Sequence, residues 1–226
     1  MRMILTLALV ALAQDPPRSS KSTWGRWAPG TTVKYQLTNK VDGDSEQIET
    51  LVKVGEDSCH TKWTLKTGSG TKEIERKYIY VDERPTMNPD AEELDEEKIT
   101  LGTKEYACRV IRVKKDDDER TCILTEWIIP DVELPLRRTY SVKSKIQGKN
   151  STFRRDALVL DEVIEVGKQK VKCTKYKDRT EVVPTPGAKP EVTEETTWHS
   201  AEVPGFLVKH DDGRTVKVVV EFEAKK

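Results

Sequence analysis

The sequence predicts a mainly β protein, an antiparallel up-and-down meander forming a curved sheet or open barrel, with at most one short helix beyond its N-terminal segment. Three observations predict it. Apolar and polar residues alternate with a period of two in several runs, turn-forming residues recur between those runs, and one strand–turn–strand pattern occurs twice in the second half. Such alternation sends one row of side chains into a core and the other into water, as in an antiparallel strand with one wet face.

Residues 14–30, rich in Pro, Ser and Lys as far as Thr23, read as an exposed leader, with Trp24 and Trp27 placed to fold over one end of the sheet. The first strand follows, with Val33, Tyr35 and Leu37 alternating with Lys34, Gln36 and Thr38. Ile48, Thr50, Val52 and Val54 form the next apolar row, and Tyr140, Val142, Ser144 and Ile146 a later one. The chain closes on Val216, Val218, Val220 and Phe222, expected on one face, with Lys217, Glu221 and Glu223 on the other. Between the runs lie Asp42-Gly43, Gly68-Ser69-Gly70, Lys115 to Glu119, Gly148-Lys149-Asn150, Pro184 to Pro190 and Asp212-Gly213, residues that tolerate positive φ or fix φ. Their spacing implies about ten to twelve strands. The acidic stretch Pro85 to Lys98 departs from the pattern and reads either as a short helix starting at Asn88 or Asp90 or as a solvated loop.

The repeat joins residues 97–135 to residues 162–204 within one β domain, residues 31–226. Glu97 to Gly102 is matched by Glu162 to Gly167, Cys108 by Cys173, and Trp127 by Trp198. The glycines and the cysteines are each 65 residues apart and the tryptophans 71, the extra residues falling in a Pro-rich loop where insertion is tolerated. Each unit reads as a three-stranded meander with glycine in the first turn, cysteine on the second strand and tryptophan on the third. An earlier echo runs from Leu51 through Gly55 and Cys59 to Trp63.

Lys plus Arg and Asp plus Glu both number 39, so the chain lacks the basic excess of a nucleic-acid binder. Residues 1–13 have the order of a secretory signal peptide: Arg2, an apolar run to Leu12, and a small-x-small site ending at Ala13. That run is about half of the roughly twenty residues a helical membrane span needs. The expected location is the periplasm or the outside of the cell, with no integral membrane span in the mature chain. There Cys59, Cys108, Cys122 and Cys173 either form disulfides, with three complete pairings open, or remain thiols acting as small apolar residues.

The segment Thr196-Thr197-Trp198-His199-Ser200-Ala201-Glu202-Val203-Pro204-Gly205-Phe206, with the Gly-x5-Cys strand before it, resembles uncharacterised exported bacterial β proteins with a Trp-x-Ser and Pro-Gly segment. Those are similar in outline to the open β-barrels of periplasmic lipoprotein carriers. The resemblance covers about the last hundred residues. It implies a strongly curved sheet with an apolar concave face, although the carriers' plugging helices have no counterpart beyond the acidic stretch.

No catalytic, metal or cofactor motif is expected. His199, Ser200 and Asp211 or Asp212 contain the residue types of a hydrolase triad, but no strained nucleophile turn surrounds the serine, and adjacent strand residues point to opposite faces. His60, His199 and His210 are scattered, and Asp116 to Glu119 lacks the ligand spacing of a calcium loop. The expected function is a non-enzymatic exported binding or structural module holding a lipid or other apolar ligand on the concave face. Tyr140, Val142 and Phe222 are its contact residues, and Trp127 and Trp198 either join them or cap the core. The alternatives are a secreted hydrolase, for which His199 is the candidate, and a module that binds envelope proteins through a strand edge.

Overall fold

The structure is a computed structural model that describes residues 23–79 and 90–225, apart from Asp42, Asp57, Asp131, Glu133, Gln147 and Pro186. The expected signal segment, residues 14–22 of the leader and residues 85–89 of the acidic stretch lie outside the described residues.

Among the described residues there are thirteen strands and no helix: β1 (Thr32–Asn39), β2 (Gly43–Val54), β3 (Ser58–Thr67), β4 (Gly70–Ile79), β5 (Glu92–Leu101), β6 (Lys104–Asp116), β7 (Arg120–Ile128), β8 (Arg137–Ser144), β9 (Asn150–Val166), β10 (Gln169–Val183), β11 (Glu191–His199), β12 (Leu207–Asp211) and β13 (Thr215–Glu223). They form one curved, unclosed antiparallel sheet in the order β4-β3-β2-β1-β13-β12-β11-β10-β9-β8-β7-β6-β5. The chain therefore enters in the middle of the sheet, where β1 pairs with the last strand, Tyr35 opposite Val219. It runs outward to the edge at β4, resumes at the opposite edge with β5, and returns strand by strand to β13.

Two apolar clusters hold the sheet. The larger gathers Val33, Tyr35, Leu51, Cys59, Val166, Val171, Cys173, Val208 and Val219 beneath Trp24 and Trp27. The smaller gathers Ile99, Cys108, Leu136, Ala157 and Tyr176, with Trp127, Ile129 and Leu134 packed on them. The long β9–β10 hairpin serves both, because register shifts around Cys173 and Lys175 change which residues face inward halfway along it.

Several sequence expectations are corrected. In the expected exposed leader, Trp24 and Trp27 are buried, and the backbone bonds back to the sheet through Ala28 N to Lys225 O and Gly30 N to Leu51 O. On β2 the buried row is Gln47, Glu49 and Leu51, while Val52 is 52% exposed. Val54 turns inward only beyond a register shift between Leu51 and Lys53. On β13 the row is likewise displaced: Val219 is buried and Val220 exposed, because Val220 is skipped in the pairing with β1. Tyr140 on β8 and Ile146 just beyond its end are exposed rather than buried.

Residues 92–98, expected as helix or loop, belong to β5. As an edge strand it leaves most of its carboxylates in water, and Glu93 forms a two-bond pair with Arg109 on β6, at 2.8 and 2.9 Å. The cysteines are free thiols rather than disulfides. Cys59, Cys108 and Cys173 are buried as small apolar residues, and the last two donate to the carbonyls of Tyr106 and Val171.

The two meanders share one geometry. Gly102 and Gly167, at φ +60° and +59°, each hold the first central position of a two-residue hairpin turn, where a side chain is strained. Glu97 faces Cys108 as Glu162 faces Cys173, and Val110 faces Trp127 as Lys175 faces Trp198. The Trp127 indole donates to Glu97 at 2.8 Å and the Trp198 indole to Glu162 at 3.0 Å. In the earlier echo, by contrast, Trp63 lies directly opposite Glu49 on the adjacent strand.

Candidate ligand cavity and its charge band

The inner face, on which Tyr35, Leu51, Tyr176 and Val219 are buried, also carries a band of polar side chains. Directly opposed residues on adjacent strands place Glu126 on β7, Arg138 on β8, Arg155 on β9, Asp178 on β10 and Glu195 on β11 in one row. Arg138 binds Glu126, and Arg155 binds Asp178 through two parallel bonds of 2.8 and 2.6 Å. The Thr197 hydroxyl adds a third bond to Asp178 at 3.0 Å. Glu195 meets His210 on β12 at 2.7 Å, and this contact holds the imidazole pKa above its usual value and the carboxyl below its own.

His210 lies opposite Lys217 on β13, which donates to Gln47 at 3.2 Å and sits 3.9 Å from the centre of the Tyr35 ring. The band ends at Glu49, which accepts from Thr61 and Tyr78 at 3.0 and 3.2 Å. Burial raises the Glu49 carboxyl pKa despite those bonds. A concave face lined in this way is not the apolar trough that the resemblance implied.

Burial pushes the Lys217 ammonium down to about 8 against the pull of the Glu49 carboxylate. The folded chain then releases this proton near pH 8, whereas the unfolded chain holds it to about 10.5. Between those limits the unfolded state binds more protons, so this residue makes stability rise with pH, by on the order of 2–3 kcal/mol over the whole window. Urea midpoints measured at pH 7.5 and 9.5 should show a rise in the native protein that Lys217→Met lacks. An identical pH response in both proteins would contradict the assignment.

Beside the β7–β11 part of the band lies a cavity of about 310 Å³. Its apolar walls are Ile128, Ile129, Val132, Leu134, Pro135 and Phe206, and its polar side is Glu126, Arg138, Arg155, Tyr176 and His199. The β7–β8 connection supplies most of the apolar side and is fixed by the Tyr176 hydroxyl, which donates to Pro135 O at 3.0 Å, and by Leu136 N to Trp127 O. The turn after β11 supplies Phe206, which adopts φ +65° with Arg26 stacked 4.5 Å from its ring centre. Positive φ is strained for an aromatic residue, and such strain gathers at ligand clamps.

His199 packs edge-on against Tyr176 at 5.6 Å. The residue as a whole is half-buried, while Nε2 is sealed from solvent and meets no hydrogen-bond partner. Burial, then the positive charges of Arg155 and Arg138, hold its pKa well below the usual value, so the imidazole is neutral. A second cavity of about 320 Å³, lined by Leu160, Cys173 and Thr174, shares Val132, Leu134 and His199 with the first.

The five residues expected to bind a ligand are not brought together, and none lines the 310 Å³ cavity. Tyr140 stands opposite Phe153, outward along β8 from Arg138, and Val142 lines a separate hollow of about 120 Å³. Phe222 packs beside Val33 in the larger core. Trp198 is buried in the larger core and Trp127 packs on the smaller one.

The triad residues are also separate. Ser200 Oγ accepts from Glu202 N, while Asp211 and Asp212 accept backbone amides in the β12–β13 turn. No group of three or more His, Cys, Asp or Glu suited to a metal ion occurs among the described residues. Nor, among them, is any helix long and apolar enough to cross a membrane.

Fold and cavity together define an unclosed antiparallel β-sheet module with a charged inner band and a small amphipathic cavity. No family model matches the chain, and no curated protein matches it. Among solved structures it is similar to a candidate lipoprotein of Parabacteroides distasonis, at 11% identity and a TM-score of 0.45, over 87% of this chain and 96% of that one. It is also similar to a candidate exported protein with a YmcC-like fold from Bacteroides fragilis, at 10% identity and a TM-score of 0.40, with the same shares covered.

Proposed function

We propose that the protein is a non-enzymatic, exported binding module, and that the 310 Å³ cavity takes a small, largely apolar molecule. The observation that carries this reading is His199 Nε2, a buried polar atom without a partner in the wall of a hollow whose other side is apolar. Leaving such an atom unsatisfied costs about 1–3 kcal/mol, which a bound molecule offering one hydrogen bond recovers. The strained Phe206 in the same wall supports a site kept for binding. Export rests on the N-terminal sequence. The two meanders are read as one Glu-Gly-Cys-Trp unit used twice, which assigns both tryptophans to architecture.

The neutral fluorophore N-phenyl-1-naphthylamine tests the site. It should bind saturably with one equivalent per chain, and Ile128→Trp, which fills the cavity, should abolish binding while leaving the thermal midpoint within a few degrees. Native mass spectrometry of protein purified from its source should show a retained small molecule. If the fluorophore fails to bind, or binds Ile128→Trp equally well, the cavity is not a ligand site.

A further inference from the structure

We infer that the ligand of this cavity is a single-tailed amphiphile with one carboxylate, its head placed between His199 Nε2 and the Arg138–Arg155 pair and its tail along Val132 and Leu134. The inference rests on the reading of the cavity as a ligand site and adds the class of molecule.

The first ground is the position of the two arginines. Arg138 and Arg155 face one another across β8 and β9, and like charges directly opposite in a sheet are unfavourable. Their carboxylate partners do not separate them, since Glu126 lies on the far side in β7 and Asp178 on the far side in β10. Both arginines line the cavity, each held by a carboxylate on its outer side.

The second ground is His199. His199 lines the same cavity as Arg138 and Arg155, and after burial their positive charges, with that of His210, lower its pKa. A neutral imidazole beside such charges favours an anionic oxygen that accepts from Nε2–H. Arg155 spends Nε and one terminal nitrogen on Asp178, and a guanidinium has five N–H donors in all, so it can serve a second acceptor.

The third ground is charge balance. Glu126 and Asp178 offset the two arginines, which suits a monoanion better than a dianionic phosphate. Ile128, Ile129, Val132, Leu134, Pro135 and Phe206 give the cavity an apolar side, and the adjoining 320 Å³ cavity, with Asp161, Lys172 and Glu202 also in its lining, gives a tail room to continue past Leu160.

Displacement of N-phenyl-1-naphthylamine from the full chain distinguishes the cases, with decanoate, 1-decanol, acetate and inorganic phosphate as competitors. Decanoate should displace the fluorophore at a concentration at least tenfold lower than decanol, and neither small anion should displace it at millimolar concentration. The preference for decanoate should fall at least tenfold in His199→Phe, which keeps the ring and removes the nitrogen. It should also fall in the charge-balanced double variant Arg155→Met with Asp178→Leu, while decanol binds both variants as it binds the native chain. Equal displacement by decanoate and decanol overturns the carboxylate inference and leaves the ligand site standing. Displacement by acetate or phosphate alone overturns it in favour of a plain anion site. Failure of the fluorophore to bind the native chain removes the underlying reading as well.

Discussion

Asp178→Ala should lower the unfolding free energy by about 3–5 kcal/mol, the range expected when one partner of a buried ion pair is removed. Asp178 is 1% exposed and accepts two bonds from Arg155 and one from Thr197. Without it, the Arg155 guanidinium remains largely buried against the Phe153 and Tyr176 rings, with its charge opposed to that of Arg138. The loss comes mainly from that stranded charge rather than from the pair's net worth. The double variant Arg155→Met with Asp178→Leu should accordingly recover most of the stability, ending within about 1.5 kcal/mol of the native protein. Urea unfolding of the three proteins checks this. If the double variant is as unstable as Asp178→Ala, the pair stabilises through its own attraction, and the account of the band is wrong.

The same band explains which parts of the fold were legible in the sequence. β1 was readable because its buried row, Val33, Tyr35 and Leu37, is apolar. β2 misleads because its buried row begins with Gln47 and Glu49, so the apolar period points to the solvent side. Periodicity reports where apolar residues lie, and it finds the buried face only when that face is apolar. β13 misleads for another reason: Val220 is the extra residue of a bulge, and a bulge reverses the alternation beyond it. The charges of β5 suggested helix or loop, yet an edge strand can keep them in water.

Pairing of β1 with β13 leaves no local signal, since the partners lie almost two hundred residues apart. The cavity was less legible than the fold. The sequence marks His199 only as a catalytic candidate, and no periodicity or motif marks Arg138 or Arg155. One signal was available: Glu97 and Glu162 open the two repeated segments, and each holds the indole of its own unit. A charge repeated in register with buried residues points to a partner inside the fold.

Gly205→Ala should destabilise the protein by about 2–5 kcal/mol from two separable causes. At φ +77° an L-residue is strained by about 1–2 kcal/mol. The new methyl would also sit 2.8 Å from Trp24 Nε1 and 3.0 Å from Cε2, where overpacking adds about 1–3 kcal/mol. Trp24 cannot step aside, because it is 2% exposed within the larger core and its neighbour Thr23 accepts from Gly205 N at 3.3 Å. Shortening the indole separates the two causes. Trp24→Leu is itself costly, but in its background Gly205→Ala should cost only the backbone strain, so the double variant should be about 1–3 kcal/mol more stable than the sum of the single effects predicts. Additive unfolding energies across the four proteins would mean that the indole does not set the turn. Because Gly205 is followed directly by Phe206 in the cavity wall, Gly205→Ala should also weaken N-phenyl-1-naphthylamine binding at temperatures where the variant is still folded. The packing of a residue from the expected leader thereby fixes the shape of the site.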